Sequence, residues 1–229
     1  MLRVDWVAHI YCCERAALPN KKGDYMKRLS VFVFAFAGAA LLNGCVATSS
    51  AMVKTAVTSP QPNPGDALVV FMRPSRYGGG IQASVYDTNR DAGTDFIGIV
   101  SAKTKVAYQA KPGHHLFMVV GENADFMNAD LDAGKTYYVL VSPRMGFWKA
   151  RFSLLPIHNR PDAKYSLQSA DFKDWQTSTT FVRKLPAADA WYRSHAGDVA
   201  AKQTEYMGKW DDAPARQKAE LTLDADDGT

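Results

Sequence analysis

Cysteine is scarce in this 229-residue chain: there are three, two of them the adjacent Cys12 and Cys13, and Cys45 is the last. Beyond residue 44 no intramolecular disulfide can therefore form. The chain has no G-x-S-x-G for a nucleophile elbow. It has no G-x-G-x-x-G opening a helix after a strand, and Gly78-Gly79-Gly80 lacks the Lys and Ser/Thr of a phosphate loop. No spaced His or Cys set completes a zinc site. Charge of one sign is not in real excess either. The 27 Lys/Arg and 23 Asp/Glu include six basic and three acidic residues within 1–44, which leaves 21 against 20 beyond them. The basic balance is thus no argument for nucleic acid.

What is present begins with Met26 to Cys45, MKRLSVFVFAFAGAALLNGC. Lys27 and Arg28 make a positive start, and Leu29 to Leu42 is an uncharged apolar run. Leu42-Asn43-Gly44-Cys45 then stands where a lipobox ends. The apolar run falls short of the about 20 residues that cross a bilayer comfortably, so it reads as a signal peptide cut between Gly44 and Cys45. Cys45 is the expected lipid-attachment residue. Its sulfur would carry diacylglycerol and its new amino terminus a third chain such as palmitate, enough for stable anchoring. Val46 rather than Asp follows, and in a two-membrane cell that sorts a lipoprotein to the outer membrane, facing the periplasm. Residues 1–25 read as an upstream extension, with translation expected to start at Met26 behind a ribosome-binding sequence that the codons of Lys21-Lys22-Gly23-Asp24 can spell.

Residues 45–66 are small and polar, with Pro60, Pro62 and Pro64 at alternate positions, and read as a flexible tether. Composition is ordinary for a globular protein, 47% apolar and 22% charged. From 67 to 157 short apolar or alternating runs are punctuated by turn residues. The expected strands are Ala67–Arg73, Ile81–Asp87, Phe96–Ser101, Lys105–Gln109, His114–Gly121, Phe126–Leu131, Lys135–Ser142 and Lys149–Leu155. This pattern predicts a mainly β fold, α+β overall, with a single antiparallel Ig- or prealbumin-like β-sandwich. Leu68-Val69-Val70-Phe71-Met72 does not alternate and is expected to be central. In the second strand Val85 faces inward, with the Ser84 and Tyr86 side left uncovered. Residues 158–185 read as an irregular connection, 186–223 as a helical segment and 224–229 as a tail. In the helical segment Trp191, His195, Val199, Lys202, Tyr206 and Trp210 share one face, expected to dock on the sandwich.

Lys111-Pro112-Gly113-His114, with Asp132-Ala133-Gly134-Lys135-Thr136-Tyr137-Tyr138-Val139 downstream, resembles the P-G-x-H and A-G-K-x-Y pattern of PEGA-like small β-sandwich domains in bacterial lipoproteins of unknown function. The resemblance covers about residues 67–157. It implies a fold and an envelope location, and no catalytic residues.

A weak calcium candidate is the loop carrying Asp87, Asn89, Asp91 and Asp95, whose oxygens alternate as in calcium loops. Ala92 stands where the sharp turn wants Gly, Gly98 replaces the closing Glu, and Arg90 adds a positive charge, so an ordinary hairpin loop is preferred. His114 and His115 point to opposite faces of a strand and cannot chelate one ion. His114 is expected to satisfy its turn. Phe147 and Trp148, flanked by Arg144 and Lys149, form a candidate interaction segment, although folding inward to cap the sandwich or receive the C-terminal helix is the preferred reading. The combined expectation is a lipid-anchored envelope module without catalysis or cofactor, binding the membrane through Cys45 and envelope proteins beyond it. The alternative is an envelope hydrolase or small-ligand- or metal-binding protein, which would bring His114, Glu122 and Asp125 together in a pocket.

Overall fold

Leu68 to Met72 gives no polar residue to solvent, and the fold covers both faces of this strand. Val69 and Phe71 point into the space between two sheets, while Leu68, Val70 and Met72 pack beneath a helix carrying Phe172 and Trp175. The computed structural model describes residues 48–88, 93–144 and 151–229. In chain order its strands begin with β1 (Met52–Lys54), β2 (Ala67–Arg73), β3 (Ala83–Asp87), β4 (Asp95–Val100) and β5 (Thr104–Ala110). There follow β6 (Gly113–Val120), β7 (Ala124–Leu131), β8 (Thr136–Arg144) and β9 (Arg151–Ile157). The remainder is α1 (Ala170–Ser178), β10 (Thr180–Lys184), α2 (Pro186–Asp211), α3 (Ala215–Glu220), β11 (Thr222–Leu223) and a short 3-10 turn at Ala225–Asp227.

The strands form a six-stranded sheet in the order β1-β10-β5-β2-β8-β9 and a five-stranded sheet in the order β11-β7-β6-β3-β4. The two sheets pack face to face over one apolar core, and α2 lies on the second sheet. The mainly β, sandwich-like fold with a C-terminal helix is as expected, but the sheets are mixed. β2 with β8, β10 with β5 and β11 with β7 are parallel. Residue alternation has the same period in parallel and antiparallel strands, so the sequence could not separate them.

Four other expectations are corrected. Residues 45–66 are not tether throughout: Met52–Lys54 pairs antiparallel with β10, and Met52 joins the core. The connection 158–185 contains α1, capped by Ser169, and the strand β10. The second sheet is not bare on its outer side. Tyr86 packs against Tyr192 of α2 at 5.6 Å, so every residue of β3 is buried. The tail is built in, with Thr229 exchanging backbone hydrogen bonds with Thr136. The aromatic stripe docks as expected: Val199 and Trp210 are buried, and Trp191 and Tyr206 pack against the core.

β2, β4, β6 and β8 finish at one end of the sandwich, where β3, β5, β7, β9 and β10 start. Arg73 organises this end. Fully buried, its guanidinium donates to the carbonyls of Ile81 (2.6 Å), Tyr77 (3.0 Å) and Gly78 (2.8 Å) and lies 4.8 Å over the Phe152 ring. Burial lowers its pKa to about 10, still charged at neutral pH. No helix of the described residues is long and apolar enough to cross a membrane.

Candidate functional site

At the Arg73 end, the last turn of α2 leans over the start of β7 and leaves a cleft of about 340 Å³. Asn123 and Phe126 form its floor. Asn123 Oδ1 accepts from the Phe152 amide (3.1 Å) and its Nδ2 donates to the Phe152 carbonyl (3.3 Å), tying the β6–β7 turn to β9 across the two sheets. One wall is aromatic: Trp210 lies 6.1 Å from Phe126, and Lys209 Nζ sits 4.3 Å over Tyr206.

The opposite wall is cationic. Arg144 closes β8, Arg151 opens β9, and the strand register sets them directly opposite each other. Like charges facing across a ladder repel. Asp125 partly offsets this by accepting from Arg144 Nη2 at 2.8 Å. Burial pushes the Asp125 carboxyl above its ordinary value despite Arg144, so the cleft is not a comfortable place for that one carboxylate. Arg151 has no carboxylate partner among the described residues. Three cations beside an aromatic wall suit an anion attached to an apolar group.

The other polar residues that the sequence singles out are held elsewhere. His115, not His114, satisfies the β5–β6 turn: Nε2 meets the Lys111 carbonyl at 2.7 Å and Nδ1 meets Asp87 Oδ2 at 2.7 Å. The Lys111 carbonyl only accepts, and a carboxylate at Asp87 does the same, so these neighbours favour a ring that donates from both nitrogens and is charged. Burial opposes that charge, but the Asp87 hydrogen bond and its negative charge, with the Lys111 carbonyl, outweigh it and raise the His115 pKa. Tyr108 also donates to Asp87 (3.2 Å). Asp87 is therefore an internal partner rather than a loop ligand, which removes the first of the calcium candidates. Asp95 is exposed opposite it on β4, while Asn89 and Asp91 lie outside the described residues. Cys45, Gly44, Phe147 and Trp148 lie outside them too.

His114 is exposed and pairs with Asp130 at 2.9 Å. The register places it five residues along β6 from the partner of Asp125, a separation of about 17 Å at strand spacing, and Glu122 sits exposed in the β6–β7 turn. These three do not converge. His158 Nδ1 meets Asp227 Oδ2 at 2.7 Å, and Asp227 also accepts from the amides of Asn159 (2.9 Å) and Asp224 (2.9 Å). The His158, Asp224 and Asp227 group is close enough to consider for a metal, but Asp227 is already committed on both oxygens. It works as a latch for the C-terminus. Arg151 and Lys209 were not singled out by the sequence. The signal for Arg151 was the hairpin itself, since the register that closes β8 on β9 brings it opposite Arg144.

No protein-family model matches the chain, and no curated protein matches it. Among solved structures, an NMR structure of a protein from Eubacterium rectale is similar over 43% of this chain and 94% of its own, at 8% identity and a TM-score of 0.32, a likeness too slight to carry an argument.

Proposed function

We propose that this protein is an acylated envelope lipoprotein, held by lipid on Cys45 and sorted to the outer membrane, whose domain is a non-catalytic binding module of PEGA-like type. The signal-like run ending at Gly44-Cys45 supports the anchor. The observation that carries the binding role is the facing pair Arg144 and Arg151 beside Tyr206 and Trp210. That arrangement costs stability when empty and regains it when an anion sits between the cations. His114, Glu122 and Asp125, the groups expected to converge in a hydrolase, stand apart, His114 being paired with Asp130.

Thermal unfolding of the processed protein with inorganic phosphate and with glycerol phosphate tests this reading. The anions should raise the melting temperature of the wild type more than that of the Arg144→Gln, Arg151→Gln double variant. Equal shifts in the two proteins would remove the cleft as the binding site.

A further inference from the structure

We infer that the Arg73 end of the sandwich is a membrane-resting face, so that the anion met by the cleft is the phosphate of a phospholipid headgroup. This rests on acylation of Cys45. The first reason is reach. Ser49 is fixed to the domain: its N–H bonds Ser101 Oγ at 3.2 Å, Ser101 being the first residue after β4. Three residues separate it from Cys45, so the acylated residue lies within about 14 Å of Ser49 even if the link is fully extended. That is too short to hold the domain off the surface. The end bearing Ser101 must stay beside the lipid.

The second reason is what this end exposes. The large apolar residues most exposed among the described residues are Val57 (54%), Tyr77 (55%) and Ile81 (42%). Tyr77 and Ile81 sit on the 74–82 loop, which passes close to the β4–β5 turn: a Cβ on Gly79 would lie 4.0 Å from that of Ala102, next to Ser101. Val57 lies near the same end: two residues before it the Thr55 amide bonds the carbonyl of Phe181, the second residue of β10, whose first residue Thr180 is level with Thr104. The buried Arg73 holds the loop by three carbonyls, so its apolar tips are presented from a fixed backbone. Isolated exposed apolar residues are ordinary, but three gathered at the anchored end suit insertion at the headgroup boundary.

The third reason is charge. Arg76 and Lys103 lie on the loop and turn of this end, and Arg144, Arg151 and Lys209 line its cleft. Anionic leaflets attract such clusters. The opposite end carries Asp66, Asp95, Asp130 and Asp132 at strand ends and turns; Lys111, His114 and Lys135 pair with three of them, so that end has no cationic excess and would face away from the lipid.

The test uses the processed lipoprotein in vesicles of phosphatidylethanolamine and phosphatidylglycerol. With Cys45 acylated, Tyr77→Cys supplies a unique thiol on the face, and Ala133→Cys supplies one in the β7–β8 turn at the far end. Both positions are exposed, so neither change should disturb folding. Tyr77→Cys should react several-fold more slowly than Ala133→Cys with a bulky aqueous maleimide, and detergent should abolish the difference. A fluorophore on Tyr77→Cys should be quenched by spin-labelled lipid. Equal reactivity and no quenching, with palmitate present on Cys45, would overturn the membrane face and leave the anchor standing. Absence of palmitate would overturn both.

Discussion

Arg73 and Phe152 meet at 4.8 Å, guanidinium over ring, at a point where the 74–82 loop, β2 and β9 converge. Among the described residues no carboxylate pairs with Arg73; loop carbonyls and the ring's face surround its charge instead. Arg73→Ala would leave those carbonyls short of a donor and open a cavity. The expected loss is about 3 kcal/mol or more, read from urea unfolding. Arg73→Lys should recover little of it, because one ammonium cannot reproduce the guanidinium fork. Recovery to wild-type stability by Lys would contradict this role.

His115 makes stability depend on pH. Its folded pKa is raised above the ordinary value of about 6.5, so the folded state holds the proton more tightly than the unfolded chain. The stabilisation is complete below the unfolded pKa and is lost as pH rises through the folded one. His115→Gln should flatten the fall in stability that begins as pH rises above the ordinary histidine value of about 6.5. An unchanged slope would show that another group carries it.

Asp227 has the opposite sign. Burial raises its pKa, but hydrogen bonds from His158 and from the Asn159 and Asp224 amides outweigh burial, and the net shift is downward. Its contribution is present above the unfolded value of about 3.9 and is lost as pH falls through the folded one. Acidification, or Asp227→Asn at neutral pH, should release the C-terminus. Faster hydrogen exchange at the Thr136 and Thr229 amides would report it, and unchanged protection there would speak against the latch.

Much of the fold was legible. Strands β2 to β9 were expected within a few residues of where they lie, because alternation and turn residues such as Gly113 and Gly134, both at positive φ, are local signals. The short edge strands were not legible. Met52–Lys54 becomes a strand only because Val182 to Lys184, far along the chain, offers an edge to pair with. The site was legible even less. Which of His114 and His115 turns inward depends on a one-residue register, and the opposition of Arg144 and Arg151 exists only once β8 and β9 are paired.

The helix α2 contains Gly197 and Gly208, each costing about 1 kcal/mol against Ala, and should depend on docking. Trp191 lies 5.8 Å from Phe96, and Trp210 packs on Phe126. Removing both in Trp191→Ala, Trp210→Ala should lower the melting temperature by roughly 10 °C. Unchanged stability would mean that the stripe serves something other than packing.

Relief of charge offers a further check. Arg151→Gln removes one of two facing cations and should stabilise the domain in anion-free buffer by about 0.2–1 kcal/mol, while reducing its response to phosphate. Destabilisation would show that Arg151 is already paired.

The most direct measurement is the mass of the first tryptic peptide of the protein extracted from its native membrane. The anchored reading predicts a peptide beginning at Cys45 and ending at Lys54 that carries a diacylglyceryl thioether and an amide-linked acyl chain. An unmodified Cys45 thiol within a peptide that continues upstream of Gly44 would contradict it.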